Sequence, residues 1–146
     1  LTESFCHDSQ ICVILGDNIF TDDLTSFARE FHEQKVGAKI LLKEVSDPHR
    51  FGVPELDGKR IKSIEEKPKN PKSNYAVTGI YFYDSKVYEV IRTLRPSRRG
   101  ELEITDVNNH YVAQGTMSYN YLKGVWTDAG TFESLRHANE LMFEGK

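Results

Sequence analysis

Two aspartates follow apolar runs at positions far apart in the chain. Asp17 comes after a glycine that ends the run 11–15, and Asp128 follows Val125-Trp126 in the segment WTDAGT. In α/β proteins, ligands bind at the carboxyl ends of strands, where loops leave the sheet. Two carboxylates at such ends could share one Mg²⁺ ion, which takes oxygen ligands and keeps waters and substrate phosphates in its shell. Each aspartate could equally cap a helix or satisfy a turn, and the pattern alone leaves both interpretations open.

Charged side chains in two other segments could bind a phosphorylated sugar. In SIEEKP (63–68), Glu66 could accept hydrogen bonds from sugar hydroxyls and Lys67 could bind a phosphate. Arg98 and Arg99 lie in a loop and could also bind phosphate. The alternatives are a solvated charged turn for the first segment and ordinary surface arginines for the second.

The run from Tyr75 to Tyr83 is the longest strand signal in the chain. If it forms a strand, Tyr75, Val77, Gly79, Tyr81 and Tyr83 share one face, because side chains alternate across a sheet. An aromatic face interrupted by a glycine suits close approach of a sugar. Ordinary core packing explains the same pattern.

Strand-like and helix-like segments alternate along the chain, which predicts an α/β fold with a mostly parallel sheet. The strand 11–15 has the continuous apolar character of a strand covered on both faces. Asp57-Gly58 predicts a tight hairpin with positive φ at both residues. The other strands are predicted at 39–45, 53–56, 60–65, 75–83, 117–122 and 125–126, and the helices at about 24–37, 84–95, 103–114 and 132–142.

Composition limits the classes of protein that this chain could be. With 146 residues, 38% of them hydrophobic, it can bury one core, and we expect a single domain over residues 1–146. A net charge of -3 without a basic stripe argues against a nucleic acid polymer as partner. No apolar run approaches the roughly 20 residues of a membrane helix, so we expect no membrane partner. Cys6 and Cys12 are interpreted as reduced thiols, which predicts a cytoplasmic protein.

Five motifs occur in order along nearly the whole chain: LGDNIF, FGV, SIEEKPKNPKSNYAVTGIYFYD, RGELEITDVN and WTDAGT. Together they resemble the glucose-1-phosphate thymidylyltransferases, a family of sugar nucleotidyltransferases. The resemblance implies a Rossmann-like, three-layer α/β/α fold with a mostly parallel mixed sheet. It also implies a reaction between a sugar 1-phosphate and a nucleoside triphosphate that releases pyrophosphate. Glucose 1-phosphate and dTTP would be the substrates, and dTDP-glucose the product.

The resemblance further implies roles for the residues that match the family's motifs. Asp17 and Asp128 would bind Mg²⁺ and would act in catalysis together with Lys67 and Arg99. Lys67 and Arg99 would hold the sugar phosphate, and Glu66 would hold sugar hydroxyls. The remaining residues of the implied sugar site are Gly52, Val77 and Tyr81.

Two departures from the family pattern change what we expect of this chain. The family's leading strand and its glycine-rich loop, which cradles the triphosphate, have no counterpart here, and the usual C-terminal helices are also missing. We therefore expect little or no turnover from this chain alone. We expect it to form a homo-oligomer or to pair with a complementing chain that carries the N-terminal segment. The alternative function is a non-catalytic homologue that binds sugar phosphate and regulates an intact enzyme.

Overall fold

The computed structural model describes residues 2–6, 8–97 and 100–144 of the chain. Its strands are β1 (Ile11–Ile14), β2 (Asn18–Phe20), β3 (Ala38–Glu44), β4 (Gly52–Asp57), β5 (Arg60–Glu66), β6 (Tyr75–Tyr83), β7 (Met117–Tyr121) and β8 (Trp126–Asp128). Its helices are α1 (Thr2–Cys6), α2 (Thr25–Gln34), α3 (Val87–Thr93), α4 (Ile104–Ala113) and α5 (Phe132–Glu144), and a 3₁₀ turn covers Pro48–Arg50.

A mixed sheet in the order β1-β6-β3-β7 forms the centre of the fold. Strands β1, β3 and β7 run in one direction, because β6 is antiparallel to both β1 and β3 while β7 is parallel to β3. Every residue of β6 after Tyr75 is buried, as expected for a central strand whose two faces are both covered by other layers. The predicted mixed α/β sheet is confirmed. Because the reversed strand β6 lies between β1 and β3, only the pairing of β3 with β7 is parallel in this sheet.

Helices cover both faces of this sheet, which confirms the predicted three layers. On one face, Phe31 of α2 packs with Leu41 and Phe82 of the sheet. On the other face, Val87 of α3 and Tyr111 of α4 pack against the sheet together with the β4–β5 hairpin. The small β2–β8 sheet joins the first of these layers through Trp126, one of the buried residues of that cluster.

Two local predictions are wrong. Strand β1 is not covered on both faces: its residues alternate between partly buried and exposed, and Ile14 is 47% exposed. Within the described part of the chain β1 pairs with β6 alone, so it lies at an edge. The predicted hairpin is present, but its predicted backbone is wrong. Asp57 still pairs with Arg60, so the loop is Gly58-Lys59, and of these residues only Gly58 has a positive φ.

Large apolar side chains are exposed at several places in the described residues. Ile14, the last residue of β1, and Leu15 after it are both exposed. Phe5, Phe132 and Phe143 are more exposed still. Association with a second copy or a complementing chain would remove this surface from water. That association stays a prediction. Among the residues described here, no helix combines the length and the apolar character needed to cross a membrane.

Candidate active site

A cleft of about 640 Å³ lies at the ends of strands β1, β5 and β8 and beside the middle of β6. Its lining includes most of the residues predicted from the sequence: Asp17, Gly52, Glu66, Lys67, Val77, Tyr81 and Asp128. The predicted phosphate ligand Arg99 and its neighbour Arg98 lie outside the described residues. Segments far apart in the chain therefore contribute their polar side chains to one cleft.

The pairing of β2 with β8 brings Asp17 and Asp128 together. Asn18 lies opposite Asp128 in this ladder, and the backbone oxygen of Asp17 accepts a hydrogen bond from the Ala129 N–H at 2.7 Å. A Cβ built on Gly130 would lie 3.2 Å from Oδ2 of Asp128 and 3.5 Å from Oδ2 of Asp17. Both carboxylates thus face the same small space, which a side chain at position 130 would fill.

This pair of carboxylates suits Mg²⁺ by the chemistry of its donors, since the ion prefers carboxylate oxygens together with waters and phosphates. In the described part of the chain, no group of three or more His, Cys, Asp or Glu side chains is placed to hold a metal. A site built on Asp17 and Asp128 would therefore supply two protein ligands. Most of the coordination shell would remain for solvent and substrate.

Asn18 fixes the position of Asp17, and the sequence analysis missed it. Its Nδ2 donates a hydrogen bond to Oδ1 of Asp17 at 2.9 Å. Its Oδ1 accepts two more, from the backbone N–H of Gly79 at 2.8 Å and from Nε1 of Trp126 at 2.8 Å. The available signal was the polar residue directly after the acid in LGDNIF.

Arg50 is a second residue that the sequence analysis missed. Its Nη2 lies 3.2 Å from each carboxylate oxygen of Asp128, and its Nη1 donates to Oδ2 of Asp47 at 2.9 Å. The hydrogen bond to Asp47 raises the pKa of Arg50, burial opposes the shift, and the charge of Asp128 adds to it. The only signal in the sequence was an arginine directly before the FGV motif.

Glu66 is held in place by Thr105, the third residue missed from sequence. The buried Thr105 hydroxyl donates to Oε2 of Glu66 at 2.6 Å from the first turn of α4. Gly52 lies opposite Glu66 in the β4–β5 ladder, and a Cβ there would come within 3.3 Å of the same oxygen. The absence of a side chain at position 52 therefore leaves room for this carboxylate.

Lys67 has an unusual backbone conformation for a residue with a side chain. Its φ is 46°, in the left-handed region, which costs about 1 kcal/mol for a residue other than glycine. Its N–H donates to the carbonyl of Phe51 at 2.9 Å, which holds the turn at the end of β5. Non-glycine residues in this region cluster at functional sites.

The two interpretations of the aromatic strand overlap. Val77 and Tyr81 line the cleft together with Gly79, and both also belong to the buried core. Tyr83 belongs to the same core, does not line the cleft, and donates to Oδ1 of Asn108 at 2.7 Å. Burial raises the pKa of Tyr81 well above its usual value, and the negative charges of Glu66 and Asp17 add to the shift. Tyr81 therefore keeps its hydroxyl proton, which it can donate to a ligand.

Comparison with known proteins assigns this chain to a family. The model of the nucleotidyl transferase family matches residues 1–144, and the chain belongs to that family. Its relatives include the glucose-1-phosphate thymidylyltransferase of Neisseria meningitidis, which is 45% identical over 140 residues. That match covers 93% of this chain and 49% of the relative, so the chain spans about half the length of this relative.

Solved structures support the same assignment. A Bacillus anthracis protein, provisionally assigned as a glucose-1-phosphate thymidylyltransferase and crystallised with sucrose, is 57% identical and superposes with a TM-score of 0.90. The match covers 95% of this chain and 56% of that one. A UDP-glucose pyrophosphorylase in complex with UDP-glucose superposes with a TM-score of 0.86 at 22% identity, over 99% of this chain and 60% of that chain. At this identity the second likeness concerns the fold alone.

Proposed function

We propose that this chain supplies the metal site and the sugar-phosphate site of an enzyme that joins a sugar 1-phosphate to a nucleoside triphosphate. The observation that carries the proposal is the cleft in which Asp17 and Asp128 face the same space while Glu66 and Lys67 line the wall. The names of the relatives support glucose 1-phosphate and dTTP as substrates. The products would be dTDP-glucose and pyrophosphate.

The chemistry requires positioning and charge neutralisation rather than a protein nucleophile. A phosphate oxygen of the sugar 1-phosphate attacks the α-phosphorus of the triphosphate, a new P–O bond forms, and the bond to pyrophosphate breaks. Asp17 and Asp128 would hold Mg²⁺, which when bound neutralises charge on the phosphates. Asn18 would keep Asp17 in position through their 2.9 Å hydrogen bond.

The other wall of the cleft would bind the sugar 1-phosphate. Lys67 would pair with the phosphate, and Arg99 is proposed to act with it. Glu66 would accept hydrogen bonds from sugar hydroxyls, with its carboxylate fixed by Thr105. Gly52, Val77 and Tyr81 would complete the pocket for the sugar ring.

Residues 1–146 would have little turnover by themselves, because the N. meningitidis relative is about twice as long. Binding to the proposed half-site is therefore the first property to measure. Mn²⁺, observed by electron paramagnetic resonance, can replace Mg²⁺ as a probe, and calorimetry can follow glucose 1-phosphate. We expect Asp17→Asn and Asp128→Asn each to weaken Mn²⁺ binding at least tenfold, since a charged ligand is lost. Lys67→Gln should weaken glucose 1-phosphate binding instead.

The matched control is Asp57→Asn, which removes the same charge from an exposed hairpin residue and should change neither property. If Asp17→Asn and Asp128→Asn leave Mn²⁺ binding unchanged while glucose 1-phosphate still binds, the metal site is wrong. A non-catalytic regulatory homologue would then be the better interpretation. Pyrophosphate release after mixing the chain with the complementary part of a relative tests the reaction itself.

A further inference from the structure

Arg50 contacts Asp128 of the proposed metal site and, at the same time, residues outside that site. It belongs to the 3₁₀ turn before β4, and its guanidinium reaches Asp128, which is 78 residues away in the chain. The ring of Phe51 supports the guanidinium, with Cζ 5.1 Å from the ring centroid. Phe51 in turn packs edge-on against Trp126 at 5.4 Å. The guanidinium is therefore held beside the cleft by contacts that do not involve Asp128.

The two carboxylates bound by Arg50 are held with different strength. The bond from Nη1 to Asp47 is 2.9 Å, in the range of good charge-assisted hydrogen bonds. The single Nη2 is shared by both oxygens of Asp128 at 3.2 Å each, which is longer than that range. Asp47 is thus the anchor, and Asp128 is the partner that Arg50 can release.

The oxygens of Asp128 that contact Arg50 include the one that faces Asp17. Oδ2 of Asp128 is the atom nearest to the space that both aspartates share, and Nη2 lies 3.2 Å from it. A divalent cation bound there would meet a fixed positive charge in direct contact with one of its ligands. In this arrangement the guanidinium and the cation compete for the same oxygen.

Arg50 is also placed to meet the phosphate of a sugar 1-phosphate. Lys67 donates its backbone N–H to the carbonyl of Phe51, the residue next to Arg50. Arg50 and Lys67 thus belong to neighbouring backbone segments, and both line the same cleft. A guanidinium has five N–H donors, so Arg50 can keep Asp47 while turning a free edge to a phosphate.

We propose that Arg50 couples the two halves of the site: it holds Asp128 until a sugar phosphate binds, then pairs with the phosphate and leaves Asp128 to the metal ion. This inference rests on the function proposed above and adds to it a residue that controls the order of binding. Glucose 1-phosphate should therefore tighten metal binding. By linkage, the metal ion should tighten glucose 1-phosphate binding by the same factor.

The test measures Mn²⁺ binding to the full chain with and without glucose 1-phosphate, in wild type, Arg50→Gln, Arg50→Lys and Arg29→Gln. Without the sugar phosphate, Arg50→Gln should bind Mn²⁺ severalfold more tightly, because a positive charge that competes for Asp128 is removed. This variant should also bind glucose 1-phosphate more weakly. Glucose 1-phosphate should no longer increase the affinity of the variant for Mn²⁺. Arg50→Lys keeps the charge and should stay close to wild type for Mn²⁺ alone.

Arg29→Gln is the matched control, because it removes the same charge from an exposed residue of α2. It should behave as wild type, and circular dichroism should show the same fold for every variant. If Arg50→Gln binds Mn²⁺ no more tightly than wild type, while Asp17→Asn still removes that binding, the inference about Arg50 is overturned and the metal site stands. If Asp17→Asn has no effect in any variant, the proposed metal site and the inference fail together.

Discussion

The amide of Asn18 occupies the space that a side chain at position 79 would need. Its Oδ1 accepts a hydrogen bond from the Gly79 N–H at 2.8 Å, and a Cβ on Gly79 would lie 2.3 Å from its Nδ2. The same amide contacts Trp126 and Asp17. One asparagine thus joins β6 and β8 to a candidate metal ligand, and it can do so only because residue 79 is a glycine.

Gly79→Ala should therefore displace Asn18 and disturb Asp17. We expect the free energy of unfolding to fall by about 2 kcal/mol, a typical cost of overpacking, and Mn²⁺ binding to weaken severalfold. Chemical denaturation and Mn²⁺ titration measure the two effects. Gly16→Ala is the control for stability, since a Cβ there meets no atom within 4 Å.

A double-mutant cycle separates the clash from other effects of the alanine. Asn18→Ala removes the side chain that Gly79→Ala would hit, so the two changes together should cost less than the sum of their separate costs. Strict additivity of the two free energies would show that Asn18 and Gly79 do not interlock as described.

Thr105→Val keeps the shape of the side chain but removes the hydroxyl that donates to Glu66. Hydrogen bonds to charged groups contribute about 1.5 to 3 kcal/mol, so we expect glucose 1-phosphate binding to weaken about tenfold. Mn²⁺ binding should not change, because Asp17 and Asp128 are untouched. Thr105→Ser should restore most of the affinity measured by calorimetry, and equal losses in the valine and serine variants would argue against this role.

The ion pair between Glu30 and the buried Lys39 should make stability depend on pH. The two groups are 2.7 Å apart, and the hydrogen bond from Lys39 lowers the pKa of Glu30 below its ordinary 4.5. The stabilisation is therefore present above pH 4.5, and it is lost as the pH falls through the lower pKa of the folded state. Glu30→Gln should cost about 1 kcal/mol at pH 7 and less at pH 3, where part of the carboxylate is protonated.

Urea denaturation at both pH values measures this difference. Glu33→Gln, on the exposed part of the same helix, is the matched control and should show a small effect at either pH. A Glu30→Gln cost that is equal at pH 7 and pH 3 would mean that the charge of Glu30 does not stabilise the fold.

Gly37 connects α2 to β3 in a crowded, left-handed conformation. Its φ is 95°, and a Cβ there would lie 2.2 Å from the carbonyl oxygen of Thr116. Gly115 also has a positive φ, 69°, but no atom lies within 4 Å of its added Cβ. Gly115→Ala should thus cost about 1 kcal/mol from backbone strain alone, and Gly37→Ala should cost clearly more. Thermal unfolding of both variants tests this, and similar costs would contradict the crowding at Gly37.

Local sequence pattern predicts most helices and strands here because their signals are local. Strand β6 occupies Tyr75–Tyr83, the boundaries predicted from its β-branched and aromatic run. Helix α4, Ile104–Ala113, lies inside the predicted 103–114. The short strand β2 was not predicted, because its three residues pair with β8 more than 100 positions later. Neither the length nor the composition of this segment predicts a strand.

The residues of the candidate site also fall into two groups, those that the sequence predicted and those that only the structure identified. The sequence identified Asp17, Glu66, Lys67 and Asp128 as polar groups at strand ends, and the structure places all four in one cleft. The residues that hold them were not identified. Arg50 and Thr105 reach their carboxylates across 78 and 39 positions of the chain. Asn18 is next to Asp17 in the chain, but it is itself held by Gly79, 61 positions away.

The sequence by itself determined the class of fold, the order of its elements and the polar residues that end its strands, because hydrophobic periodicity and turn residues act over a few positions. Only the tertiary structure decided which polar groups meet. The contact between Arg50 and Asp128, and the proximity of Asp17 to Asp128, arise from the pairing of β2 with β8 and the path of the turn before β4. Such contacts depend on distances in space, which local patterns along a chain do not encode.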